Sequence, residues 1–166
     1  MSRTQILKHM AEKDIPLFAT FLFTEDGQRY HHWEFDVLVG DPEDPGPFYP
    51  MSQRRQAMYL NSLKIDAVGW FFGAPNLIEC KPNGGLAALG QVLGYQEWYR
   101  IIFGVKPQGI IVCARMSRQV ETLCTINEIK VYRVVPANDV LIQRAIDYVR
   151  PRIRNVSVLP STRAVA

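Results

Sequence analysis

The sequence predicts an α/β domain in which a mixed central sheet of about six strands is flanked by helices. Apolar runs of strand length, rich in β-branched and aromatic residues, alternate with runs of helical periodicity. A short continuous apolar run at residues 109–114 follows a helix, as an interior strand reached through a crossover does. With 166 residues, 48% of them hydrophobic, the chain is long enough for a single domain over residues 1–166 with a sizeable core.

The N-terminal part predicts a helix and a hairpin. Residues 2–13 read as a short amphipathic helix. Residues 17–24 and 30–39 predict two strands, and the Asp26-Gly27 pair between them is typical of a hairpin turn. In the second strand Glu34 and Asp36 alternate with apolar residues, so we expect them on a solvated face.

An acidic loop and a segment with two readings come next. Residues 41–50 contain four prolines and three acidic residues, which predicts a loop. Residues 52–62 fit a helix whose Arg54 and Arg55 are placed to meet phosphates. Alternatively, residues 57–63 extend the following strand backwards, and periodicity leaves both readings open.

A second hairpin carries the candidate site. Strands at 64–72 and 76–81 are joined by the turn-forming residues 73–75. An antiparallel hairpin closing around residues 71–74 sets Asp66 opposite Glu79, with their Cβ atoms about 5 Å apart on one face. Lys81 shares that face because side chains alternate along a strand, and Cys80 points to the other.

The rest of the chain predicts alternating helices and strands. A helix follows the break at residues 82–85 and ends at Gly104, a good helix stop. After it come a strand at 109–114, a helix at 117–127, a strand at 129–135 and a helix from Asn138 or Asp139 to about Arg150.

The paired carboxylates indicate a metal-assisted hydrolysis. Two facing carboxylates repel each other unless one is protonated or a cation lies between them. Magnesium suits such a site because it keeps several waters and takes one or two carboxylates. A nearby lysine can then orient or deprotonate a water polarised by the metal, and this combination hydrolyses phosphodiesters.

These residues resemble the PD-(D/E)XK nuclease superfamily, whose fold is restriction-endonuclease-like. Asp66 and the Glu79-Cys80-Lys81 triplet lie on a hairpin followed by a helix, and Gln91-x-x-x-Tyr95 is similar to the motif of the RecB-like branch. The resemblance covers about residues 64–114. Ile65 stands where the family's motif has proline, a departure that the superfamily commonly tolerates.

The resemblance implies a Mg²⁺-dependent endo- or exodeoxyribonuclease, with Mn²⁺ as a substitute and DNA as the partner. It implies that the metal is held by Asp66, Glu79 and the carbonyl of Cys80, and that Lys81 activates or positions the attacking water. It further implies that Gln91 and Tyr95 support the site or hold substrate, and Glu12 is the one candidate for the family's first-helix glutamate. The alternative is a phage virion or assembly protein, of the head-completion or neck type, that retains the nuclease fold.

Charge and cysteine content fit an intracellular nucleic-acid partner. Residues 1–50 hold nine acidic and four basic side chains, whereas residues 51–166 hold seven acidic and fifteen basic ones. A basic half that contains the proposed site fits a polyanion, and the tail at 150–166 begins with three arginines in five residues. Three cysteines without metal-ligand spacing predict reduced, buried thiols. We expect a soluble protein without a membrane segment, located in the cytoplasm, or in the host cytoplasm or virion if phage-encoded.

Overall fold

Five strands form one mixed sheet in the computed structural model, which describes Leu7 and residues 10–154. The strands follow chain order across the sheet: β1 (His32–Val39), β2 (Leu63–Phe71), β3 (Ala74–Gly84), β4 (Gln108–Met116) and β5 (Lys130–Arg133). The β1–β2 and β2–β3 pairs are antiparallel, and the β3–β4 and β4–β5 pairs are parallel. The predicted α/β class with a mixed sheet flanked by helices is therefore confirmed.

Helices cover both faces of this sheet. They are α1 (Ile15–Leu22), α2 (Met51–Asn61), α3 (Leu86–Phe103), α4 (Arg118–Ile126) and α5 (Asp139–Val149). One face packs α1 and α5 against residues such as Ala67, Ile78 and Val112. The other face packs α3 against residues such as Leu77 and Ile111. In the described part of the chain, none of the helices has the length and apolarity that would let it cross a membrane.

The predicted strand at residues 17–24 is wrong, and this lowers the strand count to five. Those residues belong to α1, which begins just after Asp14 with a proline in its first turn. Periodicity cannot separate a short buried helix from a buried strand when every position is apolar. Five of the eight residues of α1 are buried, among them Phe18 and Phe21, so no polar face marks the helical repeat.

The hairpin predicted at Asp26-Gly27 is also wrong. The segment forms a short 3-10 helix, Gly27–Arg29, between α1 and β1. A Cβ atom on Gly27 would lie 2.0 Å from the carbonyl oxygen of Phe21. The glycine is therefore needed for close backbone approach and not for a hairpin turn.

The remaining elements follow the predictions closely, and one expectation about a side chain is corrected. Helix α2 decides between the two readings of residues 52–63 in favour of the helix. Gly104 ends α3 with a left-handed φ of 76°. Glu34 corrects an expectation, because it is 6% exposed and does not lie on a solvated face. All three cysteines are free and buried, as predicted. Most of the helix predicted at residues 2–13 lies outside the described residues.

Candidate functional site

The β2–β3 hairpin brings the three central candidate residues together. Its ladder runs from Phe71–Ala74 to Ala67–Ile78, in the predicted register. The next residue on each strand is a carboxylate, Asp66 on β2 and Glu79 on β3. Asp66 Oδ2 accepts a hydrogen bond from the Cys80 backbone N–H at 3.4 Å, and Lys81 Nζ lies 2.9 Å from Glu79 Oε1.

Burial controls the protonation of these groups. Glu79 is 2% exposed, whereas the side chain of Lys81 is 31% exposed. Burial raises the pKa of Asp66 to about 6. Burial and the charge of Asp66 together raise the pKa of Glu79 to about 7. Burial alone would lower the pKa of Lys81, but its hydrogen bond to Glu79 and the surrounding carboxylates raise it, so the side chain remains an ammonium.

Asp14 is a member of the site that the sequence did not predict. It lies at the start of α1, is 1% exposed, and its Oδ2 is 3.9 Å from Lys81 Nζ. Its side chain does not cap the helix, which leaves the carboxylate to face the lysine. Burial raises its pKa, and the charge of Lys81 opposes the shift. Glu12, the expected first-helix acid, is exposed. We call Asp14, Asp66, Glu79 and Lys81 the site cluster.

The site cluster fits a cation that takes few protein ligands. Glu79 Oε2 and Asp14 Oδ1 are buried and find no hydrogen-bond partner among the residues that the structure describes, an unfavourable state that a cation would relieve. Within Leu7 and residues 10–154, no group of three or more His, Cys, Asp or Glu side chains is arranged to hold a metal ion. Magnesium needs only one or two carboxylates with waters, so Asp66 and Glu79 suffice. Burial raises the pKa of the Cys80 thiol, which leaves its carbonyl as the predicted ligand.

Helix α3 places a tyrosine over this pair of carboxylates. Tyr95 is 7% exposed, and burial together with the negative charges of Glu79 and Asp66 raises its pKa to about 12. Gln91 Nε2 donates a hydrogen bond to the Tyr95 hydroxyl at 3.4 Å. The two residues of the motif therefore contact each other beside the site cluster, with the phenol protonated.

The edge strand β1 adds a fourth carboxylate next to Asp66. The β1–β2 register pairs Phe35 with Ala67 and Val37 with Ile65, which sets Asp36 opposite Asp66. Asp36 has a positive φ of 54°, a conformation that aspartate adopts more readily than most residues. Its charge contributes to the raised pKa of Asp66.

Helix α2 contacts the sheet through this aspartate. Its two arginines make no contact with the site cluster in the described part of the chain. The Tyr59 hydroxyl donates to Asp36 Oδ2 at 3.0 Å. Arg54 forms a two-point ion pair with Asp44 of the acidic loop, with Nε 2.7 Å from Oδ1. Arg55 is exposed. Arg54 is thus bound to a carboxylate of its own chain, and its expected contact with phosphate stays a prediction, as does that of Arg55.

Three solved structures are similar in part to this chain. A repair endonuclease from Pyrococcus abyssi superimposes with a TM-score of 0.41 and 20% identity, over 44% of this chain and 33% of its own. EndoMS in complex with double-stranded DNA gives 0.45 and 16%, over 72% and 44%. Can2 from Sulfobacillus thermosulfidooxidans, in complex with cyclic tetra-adenylate, gives 0.41 and 12%, over 81% and 34%.

The chain spans less than half the length of each of these three proteins. The values describe a similarity of backbone arrangement only. No protein-family model matches the sequence, and none of the curated proteins is significantly similar to it.

Proposed function

We propose that this protein is a metal-dependent deoxyribonuclease that hydrolyses phosphodiester bonds, with Mg²⁺ as the cofactor and Mn²⁺ as a substitute. The observation that carries the proposal is the buried meeting of Asp66, Glu79 and Lys81 at the point where the β2–β3 ladder ends. The order of helix, hairpin strands, helix and parallel strand agrees with the core that the PD-(D/E)XK resemblance implies.

The protonation states of Asp66, Glu79 and Lys81 determine the role of each residue in the proposed reaction. A divalent cation, when bound, supplies Lewis-acid polarisation of water and of the phosphoryl group. Asp66 and Glu79 are the residues that hold it, because Glu79 keeps one buried carboxylate oxygen without a partner. Ionised carboxylates are needed for this, and their raised pKa values mean that the cation must displace protons at neutral pH.

Lys81 acts as a donor and not as a base. Its raised pKa keeps it an ammonium, and its partly exposed side chain allows it to reach a phosphate oxygen or the attacking water. A positively charged donor at this place stabilises the negative charge that develops on the phosphoryl oxygens. Asp14, 3.9 Å from the lysine, orients the ammonium together with Glu79. Tyr95, protonated over the carboxylates, is a second donor.

The decisive experiment is cleavage of circular and linear DNA, both single-stranded and duplex, with Mg²⁺, with Mn²⁺ or with EDTA. We expect cleavage with either metal and none with EDTA. Glu79→Gln should reduce the rate by more than about a hundredfold, since even outer-shell changes at metal sites cost 10–100-fold. Circular substrates also separate an endonuclease, which cuts them, from an exonuclease, which needs an end.

The matched control is Glu34→Gln. Glu34 is also a buried carboxylate, 6% exposed, but it lies on β1 outside the site cluster. We expect this variant to cleave at the wild-type rate. Equal loss of activity in both variants would show a general effect of buried charge and would contradict the assignment of Glu79.

A further inference from the structure

The turn of the β2–β3 hairpin has an unusual composition. Phe71 and Ala74 form the last pair of the ladder, so Phe72 and Gly73 make a two-residue turn. Both have a positive φ, 46° for Phe72 and 78° for Gly73, as in the type I′ turn that favours Asn-Gly. A bulky residue with a positive φ is a genuine outlier. Phenylalanine at this position therefore costs stability, and such strain concentrates at ligand-binding positions.

The Phe72 ring is exposed to solvent and packs against two other rings. Phe72 is 83% exposed. The ring centroid lies 4.5 Å from that of Phe71 and 5.7 Å from that of His31, in edge-to-face contacts. Phe71 in turn packs against the core. We call His31, Phe71 and Phe72 the aromatic tip. Of the two phenylalanines in the aromatic tip, Phe72 is the more open to solvent.

One arginine lies at the neighbouring edge of the sheet. Ile153 forms a parallel bridge with Trp33, which brings the backbone of the preceding Arg152 to β1 near His32. The Arg152 guanidinium lies over the Tyr148 ring, 4.0 Å from its centroid, and donates to the Tyr148 carbonyl oxygen at 2.6 Å. The exposed rings of the aromatic tip suit stacking on bases, and an arginine at the sheet edge suits contact with phosphates.

Phe72 of the aromatic tip and Glu79 of the site cluster lie on the same hairpin. Ala74 and Glu79 are five positions apart on β3, a distance of about 16 Å at the rise of a β-strand. We infer that the aromatic tip stacks on an unpaired base of the DNA whose backbone the site cluster cleaves; this rests on the proposed function. Inside a duplex the neighbouring base pairs cover both faces of each base, so the aromatic tip can stack only on a base that has left the duplex stack, as in a single strand. Stacking is tolerant of base type.

Binding of a fluorescein-labelled oligothymidylate, compared with a blunt-ended duplex of the same length, tests this inference. Anisotropy is measured in EDTA, so that neither DNA is cut. Phe72→Asn should raise the Kd for the single strand by about five- to a hundredfold, the range measured for loss of one base–aromatic stack. Phe72→Tyr keeps the ring and should bind as wild type does. The matched control is Phe48→Asn, which removes a 96% exposed phenylalanine from the acidic loop.

A stability measurement separates the stacking role from a structural one. Asn-Gly suits the turn better than Phe-Gly, so Phe72→Asn should raise the Tm by roughly 2–4 °C while it weakens binding. A 5-iodouracil in the oligothymidylate should photocrosslink to Phe72.

The outcomes are distinct from failure of the nuclease proposal. If Phe72→Asn binds the oligothymidylate as tightly as wild type, while Glu79→Gln abolishes cleavage, the stacking inference is overturned and the nuclease stands. Equal weakening for the single strand and the blunt duplex also overturns it. If the wild-type protein neither binds nor cleaves any DNA with Mg²⁺ or Mn²⁺, the nuclease proposal fails, and the inference fails with it.

Discussion

The two ends of the β2–β3 hairpin break the usual distribution of residues in opposite ways. At one end a carboxylate, Glu79, is buried to 2% exposure; at the other an aromatic ring, Phe72, is exposed to 83%. Ordinary strands bury their rings and expose their charges. Both departures cost folding free energy, and they occur on one continuous and largely apolar element. The hairpin therefore gives up stability at two separate points, at one by burying a charge and at the other by exposing an aromatic ring.

The largest expected effect concerns the buried end and pH. Asp66 and Glu79 have pKa values of about 6 and about 7 in the folded protein, above the ordinary values near 4. From about pH 4 to 7 the unfolded chain therefore binds fewer protons than the folded one, so the free energy of unfolding falls as pH rises. We expect a loss on the order of 6 kcal/mol for the pair, because each pKa lies about two units or more above its ordinary value and one pKa unit corresponds to about 1.4 kcal/mol.

Thermal unfolding of the metal-free protein between pH 4 and 8 measures this loss. Glu79→Gln should remove about half of the pH dependence, because burial still raises the pKa of Asp66, and it should be more stable than wild type at pH 8. The exposed acid Glu25 provides the control, since Glu25→Gln should keep the wild-type profile. A wild-type Tm that rises through this range, with no flattening in Glu79→Gln, would contradict the buried pair.

The next effect is the response of the same end to metal. A ligand that binds only the folded state stabilises it by RT ln(1 + [L]/Kd), about 2.7 kcal/mol at a hundredfold excess over Kd. Magnesium should therefore raise the wild-type Tm by roughly 5–10 °C. Asp66→Asn should be at least as stable as wild type in EDTA and should gain much less from magnesium. Equal gains in the two proteins would remove Asp66 from the metal site.

The smallest effect tests the exposed end alone. Gly73 has a φ of 78°, where a Cβ atom is unfavourable, so Gly73→Ala should cost about 1 kcal/mol, or roughly 2–4 °C in Tm. The loss should be the same in EDTA and in magnesium at one pH, because the turn lies about 16 Å along the strand from Glu79. A loss that changed with magnesium would mean that the two ends of the hairpin are energetically coupled.

The sequence was most informative where contacts are local. The register that opposes Val68 to Leu77 follows from the turn, and the α3 boundary follows from Gly104. Both depend on residues close together in the chain, so alternation and turn chemistry were enough to predict them. Asp66, Glu79 and Lys81 were found for the same reason.

The parts that sequence reasoning missed depend on distant contacts. Asp14 meets Lys81 across sixty-seven positions of the chain, and no periodicity records such a pair. The proline that follows two residues after Asp14 was the available signal, since proline is common in the first turn of a helix. Reading Leu17–Leu22 as a helix would have placed Asp14 at its start. Glu34 alternates as a solvated residue does, and only the packing of the folded sheet buries it.

The bridge between Trp33 and Ile153 has a consequence for the order in which the protein is made. β1 is an edge strand, and an open edge can pair with another chain. The residue that pairs with this edge, Ile153, is synthesised one hundred and twenty positions later. Arg154 reinforces the bridge through its backbone N–H, which donates to the Trp33 carbonyl at 2.8 Å. During translation β1 therefore emerges long before this partner, and its edge stays open to pairing with other chains until Ile153 has been made.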